Sequence, residues 1–183
     1  MTLKDIAVTA AVILQADDIE YVLTEGDKSE LSSDSDAKCM LLSANLAVKE
    51  ACADGFPILR EITATAENKR IPLSEVPSAD AVKSVMLGGK RCSFSVDSLG
   101  VSVPKDGVYT VIYAETPRDF EPDDEVTLGA FADRSMLAYL TARDYCLMTG
   151  RTDEAAIWDQ RYVSESEKKR LGRRAHLPGR PWI

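Results

Sequence analysis

The spacing of apolar residues changes twice along this sequence, and those changes constrain the fold more than any other feature. Up to residue 57, apolar residues recur every three or four positions, which is the spacing of one helix face. Residues 58–116 instead contain short runs in near alternation, separated by turn residues, as in strands. Helical spacing returns in residues 117–170. The sequence therefore predicts an α+β fold, a helical bundle with an inserted small antiparallel β-sheet, which forms one folded domain overall.

Two helical regions are expected in residues 1–57. The segment from Leu3 to about Glu25 has the apolar spacing of one or two short helices. A longer helix is expected from about Asp34 to Asp54, because acidic residues favour its N-terminal end and Gly55 follows its C-terminal end.

The middle segment, residues 58–116, is expected to form a sheet of four to six strands. Gly88-Gly89 and the run from Pro104 to Gly107 are typical of turns between strands. In the last predicted strand, Tyr109 and Val111 fall on one face, and their immediate neighbours fall on the other.

An acidic linker and a helical hairpin are expected in residues 117–170. The run from Pro117 to Glu125 is interpreted as a solvated linker that keeps two structural units apart. The helix from Met136 to Met148 is apolar on nearly every side, so we expect it to be the most buried helix. A loop of about three residues around Gly150 then leads into a helix that ends near Arg170, and such a short loop predicts antiparallel packing.

The net charge of minus 8 conceals two oppositely charged parts. Residues 168–183 hold six basic residues and no acidic one, whereas residues 1–167 hold 16 basic and 30 acidic residues, a net charge of minus 14. Residues 171–183 are rich in Gly and Pro and are expected to form an extended basic tail. The tail ends in Trp182 and Ile183, and cations beside an aromatic anchor are typical of a docking peptide.

The composition argues against several chemistries. The single histidine, His176, lies in the tail, which leaves the folded part without an imidazole for a zinc site or for histidine-dependent catalysis. No cofactor, metal site or catalytic residue is predicted, and the protein is expected not to be an enzyme. No segment is long enough to span a bilayer, and we expect no membrane association. The four cysteines are scattered and are interpreted as reduced, buried thiols: Cys39, Cys52, Cys92 and Cys146.

Two charged and two aromatic residues stand out in the predicted hairpin. Arg143 and Asp144 interrupt an apolar helix, and buried charges usually occur in pairs, so we expect a salt bridge to a neighbouring helix or subunit. Catalysis by Asp144 with Glu154 is the less favoured alternative, because no second carboxylate is placed beside Asp144 by the sequence. Trp158 and Tyr162 are expected to pack against the preceding helix. Arg143, Asp144, Trp158 and Tyr162 are together predicted to serve subunit packing.

Three motifs fall in the last two predicted helices. They are Ala138-Tyr139-Leu140, the run Arg143-Asp144-Tyr145-Cys146-Leu147, and the run from Asp153 to Tyr162. With these motifs, the sequence resembles the head-to-tail connector (adaptor) proteins of tailed bacteriophages. Many of those proteins also end in a basic stretch that closes on Arg, Trp and an aliphatic residue, as Arg180-Pro181-Trp182-Ile183 nearly does. The likeness is closest from Phe131 to Tyr162, and elsewhere it is limited to the order of the segments.

This resemblance implies a non-enzymatic structural protein of the virion neck, present in the host cytoplasm during assembly. It implies a homo-oligomeric ring, commonly a dodecamer, that binds beneath the portal protein, adjoins tail proteins and extends the DNA channel. DNA is expected to pass through without specific binding. Docking to the portal is expected to use the basic end of the chain: Lys168, Lys169, Arg170, Arg173, Arg174, Arg180, Trp182 and Ile183.

A nucleic-acid-binding accessory protein is the alternative function, because a basic tail can contact phosphates. The acidic remainder of the chain would repel a polyanion, and no groove-reading motif is present in the sequence. We therefore favour the connector.

Overall fold

The computed structural model describes residues 1–76, 81–129 and 132–174. These residues form both helices and antiparallel strands, so the predicted α+β class is confirmed. The chain divides into two compact units. The helical unit consists of Met1–Phe56 and the chain from Arg118 onward, and the strand unit consists of Pro57–Pro117.

The described residues of the helical unit form six α-helices. No helix among the described residues is both long and apolar enough to cross a membrane. The first two helices and the fourth confirm the helices predicted up to residue 57. The bounds are α1 Leu3–Leu14, α2 Asp17–Thr24, α3 Lys28–Ser33, α4 Ser35–Ala53, α5 Arg134–Met148 and α6 Thr152–Arg174.

The short helix α3 lies in the polar run between the two predicted helical regions. Asp27 precedes it, and the side chain of Asp27 accepts hydrogen bonds from the main-chain N–H groups of Ser29 and Glu30, at 2.8 Å each. The side chain of Glu30 in turn accepts from the N–H of Asp27 at 3.2 Å. This capping box stabilises a six-residue helix in a sequence that has no apolar periodicity.

The acidic segment from Pro117 to Glu125 is bound to the helical unit, so the predicted solvated linker is wrong. The N–H of Leu3 donates to the carbonyl of Asp124 at 3.1 Å, and the N–H of Lys4 donates to the carbonyl of Pro122 at 2.8 Å. The first N–H groups of a helix have no partner within that helix. The segment therefore caps the N-terminal end of α1 with its main chain.

Phe120 anchors the same segment to α4. Its side chain is buried, and its main chain forms two hydrogen bonds with the side-chain amide of Asn45, at 2.8 and 3.0 Å. The ammonium of Lys49, one helical turn further along α4, lies 2.6 Å from a carboxylate oxygen of Asp119. Asn45 is a buried polar residue, and this pairing satisfies its donor and its acceptor.

Helix α5 is the most buried helix among those described, as predicted. Nine of its 15 residues are buried, against six of 12 in α1 and eight of 19 in α4. Met136, Leu137 and Leu140 are completely enclosed, and α1, α4 and α6 all pack against this helix. Burial on every side explains why its apolar residues show no single face.

Helices α5 and α6 form the predicted antiparallel hairpin. The connecting loop is residues 149–151. The ring of Tyr139 in α5 stacks on that of Trp158 in α6. Further from the loop, Asp133, the N-cap of α5, meets Lys169 of α6. Contacts that move away from the loop in both helices define antiparallel packing.

Helix α6 is longer than predicted. We expected it to end near Arg170 and an extended tail to begin at residue 171, but the helix continues through Arg174. The prediction is therefore wrong for residues 171–174. Gly172 lowers helix stability by about 1 kcal/mol relative to alanine, but the Leu and Arg residues around it are good helix formers. Residues 175–183, the remainder of the predicted tail, lie outside the described residues.

The described residues of the strand unit form seven strands in two antiparallel sheets, whereas we predicted one sheet of four to six strands. A four-stranded sheet has the order β1-β7-β3-β4, and a three-stranded sheet has the order β2-β6-β5. The bounds are β1 Ile58–Ala66, β2 Arg70–Pro72, β3 Val82–Leu87, β4 Lys90–Cys92, β5 Ser95–Asp97, β6 Gly100–Ser102 and β7 Gly107–Glu115.

The second sheet arises because the chain changes sheets within the run from Arg91 to Val96. Strand β4 pairs with β3, whereas β5 pairs with β6 in the other sheet. No Gly or Pro marks the break between β4 and β5, which is why the sequence pattern did not show it. The alternation predicted for β7 is confirmed, since Tyr109 and Val111 are completely buried and Val108 is exposed.

Ser84 in β3 carries the one buried side-chain polar atom among the described residues that has no hydrogen-bond partner. Burying a hydroxyl without a partner costs free energy. We expect Ser84→Ala to raise the free energy of unfolding by about 1 kcal/mol, measured by urea denaturation. The control is Ser95→Ala, at an exposed position in β5, which should change stability little. A lower stability for Ser84→Ala would show that the hydroxyl is satisfied.

Candidate functional site

Arg143 of α5 lies at the centre of an ion-pair cluster that joins three helices. Its Nη1 lies 2.8 Å from Oε1 of Glu50 in α4 and 3.2 Å from Oδ1 of Asp159 in α6. Its Nε lies 2.9 Å from Oδ1 of the adjacent Asp144, and Nη2 donates to a second oxygen of Glu50. The Arg143 side chain is only 15% exposed. The predicted salt bridge to a neighbouring helix is confirmed.

Three carboxylates share the guanidinium of Arg143, and the pKa shifts of Glu50 and Asp144 are in opposite directions. Hydrogen bonding from Arg143 lowers the pKa of Glu50, and hydrogen bonding to Glu50 raises the pKa of Arg143. Burial raises the pKa of Asp144, and repulsion from Glu50 and Asp159 adds to this effect against the attraction of Arg143. Of Glu50 and Asp144, Glu50 is therefore the carboxylate whose charge Arg143 stabilises more, which makes it the main counter-ion, and Asp144 is the one whose charge the surroundings disfavour.

Trp158 packs against α5, as predicted. Its ring centroid lies 6.0 Å from that of Tyr139, with 13° between the ring planes. The guanidinium of Arg161 covers Trp158 at 5.0 Å from the ring centroid. A stacked aromatic ring and a cation over the ring both stabilise the hairpin at a half-buried position.

Tyr162 ties α6 to the C-terminal end of α4. Its side chain is buried, and its hydroxyl donates a hydrogen bond to Oδ2 of Asp54 at 2.5 Å. Burial and this hydrogen bond raise the pKa of Tyr162. Arg170, two turns further along α6, donates to the main-chain carbonyl of Asp54 at 2.6 Å, and its guanidinium lies 5.9 Å from the ring centroid of Phe56.

The basic residues of the predicted docking tail fall into different environments. Lys168 pairs with Glu165 on its own helix at 2.7 Å, and Lys169 pairs with Asp133, the N-cap of α5, at 2.5 Å. Lys169 and Arg170 are therefore tied to residues outside α6, whereas Lys168 pairs within α6 and its side chain is 65% exposed. The backbone of Arg173 and Arg174 is helical, and Arg180, Trp182 and Ile183 lie outside the described residues.

The two carboxylates considered for catalysis pair with different arginines. Glu154 lies 2.8 Å from Nε of Arg151, and that hydrogen bond lowers the pKa of Glu154, whereas Asp144 faces Arg143. Among residues 1–76, 81–129 and 132–174, no group of three or more His, Cys, Asp or Glu side chains has an arrangement that fits a metal ion.

The prediction of buried thiols is confirmed for Cys146 alone. Burial raises the pKa of this thiol, which favours the protonated form. Cys39, Cys52 and Cys92 are half-buried, and Sγ of Cys39 lies 3.5 Å from Sδ of Met148.

The sequence did not reveal which residues pair with Arg143, Tyr162 and Lys169, and these partners all lie at distant positions. Glu50 and Asp159 face Arg143, Asp54 faces Tyr162, and Asp133 faces Lys169, each from a different helix or helix end. Only Asp133 had a local signal, because it stands where an N-cap of α5 belongs.

The fold and these contacts define an α+β chain whose C-terminal helical hairpin is fastened to α4 at two places, Arg143 and Tyr162. No protein-family model matches the chain. No curated protein matches it either.

Proposed function

We propose that this chain is a structural virion protein, a head-to-tail connector (adaptor) subunit that forms a ring beneath the portal and extends the DNA channel. One observation carries the proposal. The motifs that resemble the connector family fall in α5 and α6, and their residues Arg143, Trp158, Asp159 and Tyr162 are those that hold the hairpin together and fasten it to α4. The likeness therefore concerns one packed structural element rather than scattered residues.

The basic end of the chain follows directly from this fastened hairpin. Lys169 and Arg170 are engaged with Asp133 and Asp54, and further basic residues follow them in the sequence from Arg173 onward. A cationic segment that ends in Trp182 and Ile183 suits a groove that is acidic at its rim and apolar at its centre. A groove of that chemistry on the portal protein is the proposed partner of this segment.

The charge distribution supports passage of DNA without specific binding. Residues 1–167 carry a net charge of minus 14, and a surface of that sign repels phosphates. Residues 168–183 carry the opposite charge, so the proposal assigns them to protein docking rather than to the channel wall.

Deletion of residues 175–183 tests the docking role. We expect binding of the full chain to purified portal protein, measured by biolayer interferometry, to weaken about 100-fold, because the deletion removes the aromatic anchor. The cut follows Arg174, so α6 and the contacts of Lys169 and Arg170 stay intact. Equal binding of the full and truncated chains would contradict the proposal.

A matched pair of point variants separates docking from general loss of an aromatic residue. Trp182→Ala should weaken portal binding nearly as much as the deletion. Tyr21→Ala removes an aromatic side chain that is 65% exposed on α2, and it should leave binding unchanged. Equal losses in both variants would contradict a specific anchor at Trp182.

The same variants address nucleic-acid binding. An accessory protein that binds DNA through the basic end should bind with an affinity that falls steeply with salt and disappears when Arg173, Arg174 and Arg180 are changed to Glu. Lys168 and Lys169 pair with carboxylates within the chain, which leaves fewer cations for phosphates. We expect the full chain to show no such binding, and salt-dependent binding would favour the accessory role.

A further inference from the structure

Strands β1 and β4 are the two edge strands of the four-stranded sheet in the strand unit. The order β1-β7-β3-β4 places each of them beside one neighbour only within that sheet. Leu59, Glu61 and Thr63 of β1 are exposed, as are Lys90 and Arg91 of β4. An outer strand carries main-chain N–H and C=O groups on its open side that can pair with another strand.

The main-chain groups on the open side of β1 can be identified from one hydrogen bond. The N–H of Thr65 donates to Oε2 of Glu75 at 2.8 Å, so it points away from β7. Main-chain groups of a strand alternate between its two sides, so those of Leu59, Glu61 and Thr63 also point away from β7. They form an open row of donors and acceptors along β1.

The open side of β4 is identified by its turn. Gly88-Gly89 is a two-residue connection between β3 and β4, and in such a hairpin the flanking residues, Leu87 and Lys90, form a hydrogen-bonded pair. By alternation, Cys92 also bonds to β3, and the N–H and C=O of Arg91 point outward. The strand registers give the same result. Thr63 points away from β7, so its partner Thr110 bonds to Met86 of β3, and the partner of Met86 on β4, Arg91, points outward.

The two open strands carry opposite charges. Glu61 is on β1, and Lys90 and Arg91 are on β4. None of these three side chains takes part in an ion pair with another residue of the described chain. Residues that are directly opposite each other on neighbouring strands have their side chains on the same face of the sheet. Across the sheet, Arg91 is opposite Met86, Met86 is opposite Thr110, and Thr110 is opposite Thr63. Arg91 therefore lies on the same face as the exposed odd-numbered residues of β1.

We propose that β1 of one copy of this chain pairs with β4 of a second copy, with Glu61 opposite Arg91. The four strands alternate in direction, so placing the β1 of one copy beside the β4 of another in the same orientation gives an antiparallel pair. The contact joins two different surfaces and repeats head to tail, which is the kind of contact that a ring requires. It deepens the proposed function by naming the contact between subunits, and it rests on that function for the closure of the ring.

Charge favours this arrangement over pairing of two β1 strands. A symmetric β1 pair centred on Glu61 would place two carboxylates opposite each other, and like charges opposite each other destabilise a strand pair. The β1–β4 pair instead places a carboxylate opposite a guanidinium.

Disulfide trapping tests the register. With Glu61 opposite Arg91, Arg60 lies opposite Cys92 as a pair that is not hydrogen-bonded, with a Cα separation of about 4.5 Å, which suits a disulfide. Arg60→Cys removes only an exposed ion pair with Glu115. On treatment with diamide, which takes up the two thiol hydrogens, the full-length variant at high concentration should form a ladder of dimers, trimers and larger species on a non-reducing gel.

The controls separate the possible contacts. Wild-type chain reports on cross-links through its other cysteines, and Arg60→Cys with Cys92→Ser should give monomers. Dimers alone that persist without Cys92 would indicate a contact other than β1 with β4 and overturn the proposal. Monomers alone in the Arg60→Cys variant would overturn it as well.

Charge reversal tests the Glu61–Arg91 pair by sedimentation velocity at low ionic strength. Glu61→Arg or Arg91→Glu should each weaken self-association about tenfold, and the two together should restore it. The control is Lys83→Glu, an exposed charge on the inner strand β3. Equal weakening by all variants, or no restoration in the double variant, would overturn the proposed register.

The outcomes distinguish this contact from the connector role. A cross-linked ladder without portal binding supports the strand pairing and contradicts the connector. Portal-bound rings whose Arg60→Cys subunits do not cross-link support the connector and overturn the strand pairing.

Discussion

Replacing Arg143 with Ala is expected to lower the free energy of unfolding by about 3 kcal/mol, measured by urea denaturation. The change leaves the carboxylates of Glu50, Asp144 and Asp159 close together without their shared cation. Breaking a buried ion pair costs more than an exposed one, because the remaining charge stays away from water. Glu50 and Asp159 are 39% and 48% exposed, so water screens part of the repulsion, and the cost falls at the low end for a buried pair.

Two milder variants test the assignment of Glu50 as the main counter-ion. Glu50→Gln removes the carboxylate that forms two hydrogen bonds with Arg143, and it should destabilise the chain clearly. Asp144→Asn removes the charge that burial and its acidic neighbours disfavour, so its cost should be smaller. The assignment is wrong if Asp144→Asn costs more than Glu50→Gln. A loss below about 1 kcal/mol for Arg143→Ala would show that the cluster behaves as a surface ion pair.

Replacing Gly100 with Ala is expected to destabilise the strand unit by about 3 kcal/mol. Gly100 in β6 has a φ of +149°, a conformation that residues with a side chain rarely adopt. A Cβ at this position would also lie 2.3 Å from the main-chain carbonyl oxygen of Ile71 in β2. The backbone of β2 must therefore move, which disturbs the pairing of β2 with β6.

Gly89→Ala is the matched control for backbone conformation without a clash. Gly89 has a φ of +77°, and a Cβ there would meet nothing within 4 Å, so the cost should be about 1 kcal/mol. Hydrogen exchange of the β2 and β6 amides should report the difference within the strand unit. Similar exchange in both variants would show that β2 adjusts to the added methyl group.

The sequence predicted the elements whose conformation depends on residues that lie close together in the chain. The apolar spacing of α4, the burial of α5 on all sides and the three-residue loop before α6 are present in the structure. The alternation in β7 and the turn at Gly88-Gly89 are present as well. Each of these depends on residues within a few positions of each other, where spacing and turn chemistry decide the conformation.

Features that depend on residues far apart in the sequence were either not predicted or predicted wrongly. The acidic segment from Pro117 to Glu125 looked like a solvated linker by composition, but its main chain caps α1 and its Phe120 is held by Asn45. The partition between β4 and β5 depends on which neighbours each strand finds, β3 or β6. Composition describes the side chains of such segments and carries no information on where their main-chain hydrogen bonds go.

For the candidate site, the sequence by itself singled out Arg143, Asp144, Trp158 and Tyr162, because charged and aromatic residues in a helical hairpin need partners. It also determined the separation of charge between the basic end and the acidic remainder of the chain. Only the tertiary structure decided that Glu50, Asp159 and Asp54 are the partners, and that Lys169 and Arg170 belong to the packed helix. The physical reason is that an ion pair depends on separation in space, and α4, α5 and α6 acquire their separations only when their buried faces pack together.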